Sequence, residues 1–253
     1  MKKFPYISFV VVAVCCGFFA ALNSCRPYID DVPLAPPPTL ECQLNIRGGC
    51  LDQWEQIDDG FGNRCLEPAG DFLRTLNYLT TLPAQAGGPG PLTTDSTSDA
   101  YSGKYAALLI TCSFSPQGQP ILIPGLLGTD SLDISNQNIK LGKRYSNRPS
   151  AFLGYYKYQP VGGDSALVSV LLSKYNTTSH RRDTVGWVKQ IYKGATSTYT
   201  AINLPIAYFS ADTPDSLTLL VCSSAGVNFA DVFHCTGQVG SKMWIDEIQF
   251  VLP

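Results

Sequence analysis

The chain has 253 residues, with 18 Lys and Arg against 20 Asp and Glu, a net charge of −2 and 15% charged residues. That balance excludes a nucleic-acid binder driven by bulk positive charge. With 22 Gly and 18 Pro, about 16% of the chain, it lies below the roughly 25–30% of low-complexity sequence, and 13 Tyr and 12 Phe are available to fill a core. One globular unit is expected, since all-β sandwiches reach this length as a single domain.

Lys2 and Lys3 precede an apolar run from Phe9 to Leu22. At about 14 residues it is shorter than the roughly 20 needed to span a bilayer, and it reads as the apolar segment of a signal peptide over residues 1–24. The run ends in Leu22-Asn23-Ser24-Cys25. This resembles the bacterial lipobox, in which a leucine three places before a cysteine and a small residue just before it direct lipidation of the cysteine and cleavage ahead of it. The resemblance implies a lipid anchor on Cys25 and a place in the outer membrane. Ordinary cleavage nearby, with Cys25 left as a thiol, is the alternative, and either route exports the protein.

Cleavage leaves 16 Lys and Arg against 20 Asp and Glu, net −4, and seven of the nine cysteines. With Cys25 lipidated, six remain: Cys42, Cys50, Cys65, Cys112, Cys222 and Cys235. An even number in an exported chain suggests up to three disulfides. Local pairing is expected, Cys222 with Cys235 and two among Cys42, Cys50 and Cys65. Buried thiols are the alternative, most strongly for Cys112, which shares strand parity with Leu108, Ile110 and Phe114.

Residues 25–44 hold Pro27, Pro33, Pro36, Pro37 and Pro38. Each proline fixes φ and removes a backbone donor, so this stretch is expected to be an extended tether. Asp30 and Asp31 resemble the acidic surface-export signal of Bacteroidetes lipoproteins. The body, 45–253, alternates short apolar runs with turn residues and has almost no helical period. Strands are expected over Tyr105–Phe114, Ser150–Tyr158, Ala166–Tyr175, Trp187–Tyr192, Tyr199–Phe209, Leu217–Cys222 and Met243–Val251. Gly162-Gly163-Asp164, Asn176-Thr177-Thr178, Lys193-Gly194 and Asp212-Thr213-Pro214-Asp215 supply the turns between them. Ala166–Leu172 is apolar on nearly both faces, as a covered central strand requires, whereas Leu217, Leu219 and Val221 line one face only. Asp71–Leu82 is the one expected short helix, and Ala84–Asp99 reads as a long loop. The expected fold is all-β, a sandwich.

His180 and His234 are the only histidines, and no H-E-x-x-H, paired C-x-x-C, G-x-S-x-G, Walker or dinucleotide loop occurs. A glycosidase needs only two carboxylates at a fixed separation, so that class survives, with Asp164, Asp183, Asp212 and Asp215 as candidates and solvated turns as the plainer reading. The segment Arg148 to Pro160 carries Tyr155, Tyr156, Lys157 and Tyr158. In a strand Tyr156 and Tyr158 share one face, Tyr155 and Lys157 the other. A tyrosine can stack on the apolar face of a sugar and hydrogen-bond its rim, as glycan recognition demands. One face must be core, and Tyr156 with Tyr158 is taken as the free pair. Trp187, Tyr192, Arg148 and Lys157 are further candidate ligand contacts.

Leu51-Asp52-Gln53-Trp54, Tyr101 through Leu108, Gly154 through Tyr158, Pro214 through Leu217 and Gly240 through Ile248 occur in this order across about 200 residues. This series resembles the carbohydrate-metabolism domain of Bacteroidetes lipoproteins and, more distantly, galactose-binding-like carbohydrate-binding jelly rolls. The resemblance implies a jelly-roll sandwich that binds or processes glycans at the cell surface, and it supplies no catalytic set. It also implies a structural calcium between Asp52 and Asp246, since that ion takes six to eight oxygens. Leu51-Asp52 stands where Phe-Glu is commoner in such domains. Asp-Ser/Thr-small triplets, Ser96 foremost, are similar to the Bacteroidetes O-glycosylation pattern and also arise where a turn enters a strand. Three readings follow: a glycan-binding surface lipoprotein, a glycoside-active enzyme, and a structural or adhesion component that binds another surface protein.

Overall fold

The computed structural model describes residues 45–253 apart from 59–63, 78–79, 81–89, 116–117, 119, 134–137 and 228–233. The signal peptide, Cys25 and the tether lie outside the described residues, as does Cys42. The strands are β1 (Trp54–Asp58), β2 (Arg64–Pro68), β3 (Arg74–Thr75), β4 (Thr94–Thr97), β5 (Ala106–Ile110), β6 (Cys112–Phe114), β7 (Ile121–Ile123), β8 (Leu126–Gly128) and β9 (Asp130–Asp133). They continue with β10 (Asn138–Leu141), β11 (Lys143–Arg144), β12 (Ala151–Gln159), β13 (Ser165–Asn176), β14 (Arg181–Lys193), β15 (Thr196–Pro205), β16 (Ala207–Tyr208), β17 (Ser216–Cys222) and β18 (Lys242–Val251).

Two antiparallel sheets form a sandwich. One runs β15-β12-β18-β5-β4; the other runs β16-β14-β13-β17-β8-β3, with β11 also paired to β17. Each of the seven expected strands is present. The apolar run of β13 explains its central position: Ala166, Val168, Val170 and Leu172 enter the main core, while Leu167 on the opposite face joins a second core. Leu217, Leu219 and Val221 of β17 meet them in the main core, opposite Phe152, Ile202, Met243, Ile245, Ile248 and Phe250 of the facing sheet. The second core, with Leu76, Ile123, Leu126 and Cys222, lies against the β6–β7 hairpin.

Two expectations about local structure are corrected. Arg74 and Thr75 are a strand paired with Gly128 and Leu127, so no helix spans Asp71–Leu82; a helical turn begins only at Asn77. Glu67 holds this strand, accepting from Thr75 N at 2.7 Å and Thr75 Oγ1 at 2.7 Å. The expected loop Ala84–Asp99 contains β4, whose Thr94–Thr97 pairs with Leu109–Ala106. Polar threonines serve there because Asn77 satisfies buried backbone, accepting from Thr93 N and Thr94 N at 3.0 and 3.1 Å and donating to Thr94 O at 2.7 Å.

The Cys222–Cys235 disulfide is also corrected. Cys222 is a buried thiol. Burial and then the neighbouring Cys235 push its pKa upward.

Candidate functional site

The strand Ala151–Gln159 decides which tyrosines can meet a ligand. Tyr158 is fully buried and Tyr156 nearly so, both in the main core. Tyr158 Oη donates to Ser223 O at 3.3 Å, and burial first, then Asp164, drives its hydroxyl pKa upward. Tyr192 packs on Tyr156 with ring centroids 4.2 Å apart, also raised by burial. The expectation that Tyr156 and Tyr158 are the solvent pair is therefore corrected. The sandwich takes the alternate residue set inward, where Phe152 already points, and parity carries Tyr156 and Tyr158 with it.

The other pair, Tyr155 and Lys157, lies on the outer face of the five-stranded sheet beside β18, where Tyr155 is opposite Asp246 and Lys157 opposite Trp244. The Tyr101 ring covers Tyr155 with centroids 3.5 Å apart and planes at 11°, while 47% of Tyr101 remains exposed. Tyr199 meets Tyr101 edge-on at 5.9 Å. Between the rings sits Lys157, its Nζ 4.7 Å from the Tyr199 centroid and 5.1 Å from Trp244, ion-paired with Asp99 and with only 12% of its side chain exposed. Tyr199 Oη in turn donates to Asp99 O at 2.6 Å.

Irregular backbone places these groups. Opposite Gly154, β18 holds an extra residue, the register passing from Leu153↔Gln249 to Tyr155↔Asp246, and Glu247 adopts φ 50°. That conformation costs a side-chain-bearing residue roughly 1–2 kcal/mol, and the bulge lets Ile245 and Ile248 both enter the core while Asp246 lies beside Tyr155. Gly154 suits the crowding, for a Cβ there would meet Ile248 Cγ2 at 3.1 Å and Asp246 O at 3.3 Å. On the other side of β12 the register shifts again, so that Ser197–Tyr199 lie opposite Lys157 alone.

Two carboxylates clamp the loop that carries Tyr101. Asp246 Oδ2 accepts from Tyr101 N at 2.8 Å and Ser102 N at 3.1 Å, and its Oδ1 from Glu247 N at 2.9 Å. Asp52 Oδ1 accepts from Lys104 N at 2.5 Å and Tyr105 N at 2.9 Å. Gly103, at φ 64°, lies so close to the Asp52 carboxylate that any Cβ would collide with it. Burial pushes the Asp246 carboxyl up to about 6 against the opposing pull of those N–H groups. Burial also raises Glu247, with the Asp52 charge adding to it and the Ser102 side chain opposing.

Asp52 and Asp246 are thus drawn to one loop, as a shared calcium would have required, but through N–H donors. Both oxygens of Asp246 and one of Asp52 face backbone hydrogens, which repel a cation. Among the described residues no group of three or more His, Cys, Asp or Glu converges for a metal. The N–H donors by themselves account for the placement of both carboxylates at this loop.

The remaining candidates lie elsewhere. Arg148 lies over the Tyr208 ring, 4.1 Å from its centroid, and donates to Asp212 O and to Ser210 O. Trp187 is on the outer face of the seven-stranded sheet opposite Leu171, 45% exposed, its Nε1 donating to Ser169 Oγ at 3.2 Å. The structure therefore separates the six expected ligand residues into core, sandwich end and two outer faces. Lys157 alone stands in the aromatic cluster, and sequence reasoning missed Tyr101, Tyr155, Tyr199, Trp244 and Asp99 as its companions. Tyr155 shared parity with Lys157, which was the available signal.

No protein-family model matches the chain, and no curated protein matches it. Among solved structures, a protein of Bacteroides vulgatus described as a "putative glycoside hydrolase" superposes with a TM-score of 0.61 at 18% identity, over 80% of this chain and 96% of its own. A protein of Bacteroides thetaiotaomicron described in the same words superposes with a TM-score of 0.57 at 17% identity, over 79% of this chain and 67% of its own. Carbohydrate-binding modules of the β-sandwich superfamily align more loosely, with a TM-score of 0.37 at 12% identity over 83% of this chain and 61% of the other. The likeness to the two Bacteroides proteins is one of fold, and the two facing antiparallel sheets make that fold a β-sandwich.

Proposed function

We propose that the protein is a glycan-binding lipoprotein, held at the outer membrane through Cys25, and that it binds sugar on the outer face of the five-stranded sheet. The observation that carries this reading is the Tyr101 ring, backed by Tyr155 at 3.5 Å and 47% exposed, on a loop fixed by four N–H to carboxylate bonds. A flat ring that is already rigid loses little entropy when a pyranose stacks on it, and hydroxyls at its rim can orient the sugar. The strand order adds support for the finer fold. β5-β18-β12-β15 faces β8-β17-β13-β14, the alternation of a jelly roll built on eight strands.

An enzymatic role has one observation in its favour, the Asp246 carboxyl at about 6, within the range of a general acid. Its oxygens are occupied by three N–H donors and the residue is fully buried, which suits an anchor for the loop rather than a proton donor to a glycosidic oxygen. Affinity electrophoresis through gels containing plant, host and microbial polysaccharides tests the binding reading. Retardation by one polysaccharide, abolished in Tyr101→Ala, is expected. Release of reducing ends from the retained polysaccharide would replace the binding reading with the catalytic one.

A further inference from the structure

The charges around the Tyr101–Tyr155 platform bear on which glycans it can accept. Lys157 is the cation beneath the rings, and it is spent: Asp99 pairs with it, Tyr199 and Trp244 cover it, and 12% of its side chain meets solvent. Lys104, on the loop, is directed over the Tyr105 ring at 4.8 Å. Against these stand four carboxylates in the same constellation: Asp99, Asp246, Asp52, and Glu247, whose carboxyl meets the Ser102 side chain and the Asp52 charge. The Tyr199 hydroxyl is raised by burial and then by the Asp246 and Asp99 charges. The Tyr101 hydroxyl is raised by its hydrogen bond to Tyr155, then by burial and by the charges of Tyr155 and Glu247.

An anionic sugar stacked on Tyr101 would bring a further negative charge into this field, where Lys157 is paired with Asp99 and Lys104 lies over the Tyr105 ring. Unit charges of like sign within several ångströms at a protein surface repel by about 1–4 kcal/mol, and juxtaposed like charges are a recognised means of rejecting wrong partners. Neutral pyranoses bring the same apolar face and hydroxyls without that cost.

Resting on the glycan-binding reading, we propose that the Tyr101 platform selects uncharged polysaccharides and rejects uronate-bearing ones, and that Asp99 enforces the rejection by keeping Lys157 paired. Asp99 is the replaceable member of the set, because its side chain is 55% exposed and Tyr199 is held by its backbone oxygen, which substitution leaves in place.

The test is titration calorimetry of the full chain at low salt against neutral polysaccharides (xylan, galactomannan, a soluble β-glucan) and polyuronates (polygalacturonate, alginate), with Asp99→Asn and Asp99→Asn/Lys157→Met alongside. Wild type is expected to bind at least one neutral polymer, insensitive to salt, and to bind polyuronates at least about tenfold more weakly, a difference of about 1.4 kcal/mol. Asp99→Asn should raise the ratio of polyuronate to neutral affinity by about tenfold, a gain that added salt reverses and that Lys157→Met removes. Equal wild-type affinity for polyuronate and neutral polymer, or an unchanged ratio in Asp99→Asn, overturns the selectivity while leaving glycan binding in place. Binding to no polymer of either class overturns both.

Discussion

On the outer face of the five-stranded sheet, Tyr101, Tyr155, Tyr199 and Trp244 are fixed by a clamped loop, two register shifts and a paired lysine. On the outer face of the seven-stranded sheet, Trp187 is equally exposed but hangs on one hydrogen bond to Ser169, on a strand that also exposes Ile191. Both faces display an aromatic to solvent, so exposure does not separate them. Support does: one aromatic is positioned by two carboxylates, Asp246 buried and Asp52 half-buried, acting on backbone, the other by regular strand geometry and a single side-chain hydrogen bond. A binding surface requires side chains locked by what lies behind them, and the irregular face meets that requirement.

The comparison extends inward, where the largest effect is expected. Tyr158→Ala, which empties a fully buried site in the main core, should cost about 3–5 kcal/mol in chemical denaturation. Trp187→Ala should cost about 1 kcal/mol or less. A small loss at Tyr158 would mean that the tyrosine pair is not structural and would reopen the original assignment of Tyr156 and Tyr158.

Binding separates the two outer faces. Tyr101→Ala should weaken retention by the bound polysaccharide about tenfold or more, a loss of about 1.4 kcal/mol, while Trp187→Ala should change it by less than about twofold. The reverse pattern would move the site to the seven-stranded sheet. Loss in neither, with retention intact, would place it at the sandwich end near Arg148.

Proton linkage probes the clamp. Because the fold raises the Asp246 carboxyl to about 6, and Glu247 in the same direction, their contribution to stability is fully present below the unfolded value near 4 and is lost as pH rises through about 6. The Tm should therefore be higher at pH 5 than at pH 7 by a few degrees, and the difference should shrink in Asp246→Asn. Asp212 and Asp215, whose carboxyls are lowered, act below that window and do not oppose it. A Tm that falls between pH 7 and pH 5 in wild type alone would contradict the buried clamp.

The smallest effect concerns calcium. Since N–H groups face the oxygens of Asp246 and Asp52 that would otherwise coordinate an ion, a chelator should leave the Tm unchanged. A drop of several degrees would show that the loop is organised by an ion after all.

Composition and alternation alone determined that the chain is a two-sheet β protein, that Ala166–Leu172 is central and that Leu217, Leu219 and Val221 face the core, because side-chain parity in a strand follows directly from residue order. Parity also divided Tyr156 and Tyr158 from Tyr155 and Lys157, but not which pair turns inward; that depends on what the facing sheet supplies, here Ala166, Val168, Val170 and Leu172. The short strands at Arg74–Thr75 and Thr94–Thr97 were illegible, since the buried side chains of Glu67 and Asn77 make them viable from a distance. The site itself was decided by tertiary structure. Asp246 reaches Tyr101 across 145 residues, and Lys157 reaches Asp99 across 58. Such contacts arise from sheet order and from an extra residue in β18, and neither is written in any local stretch of the chain.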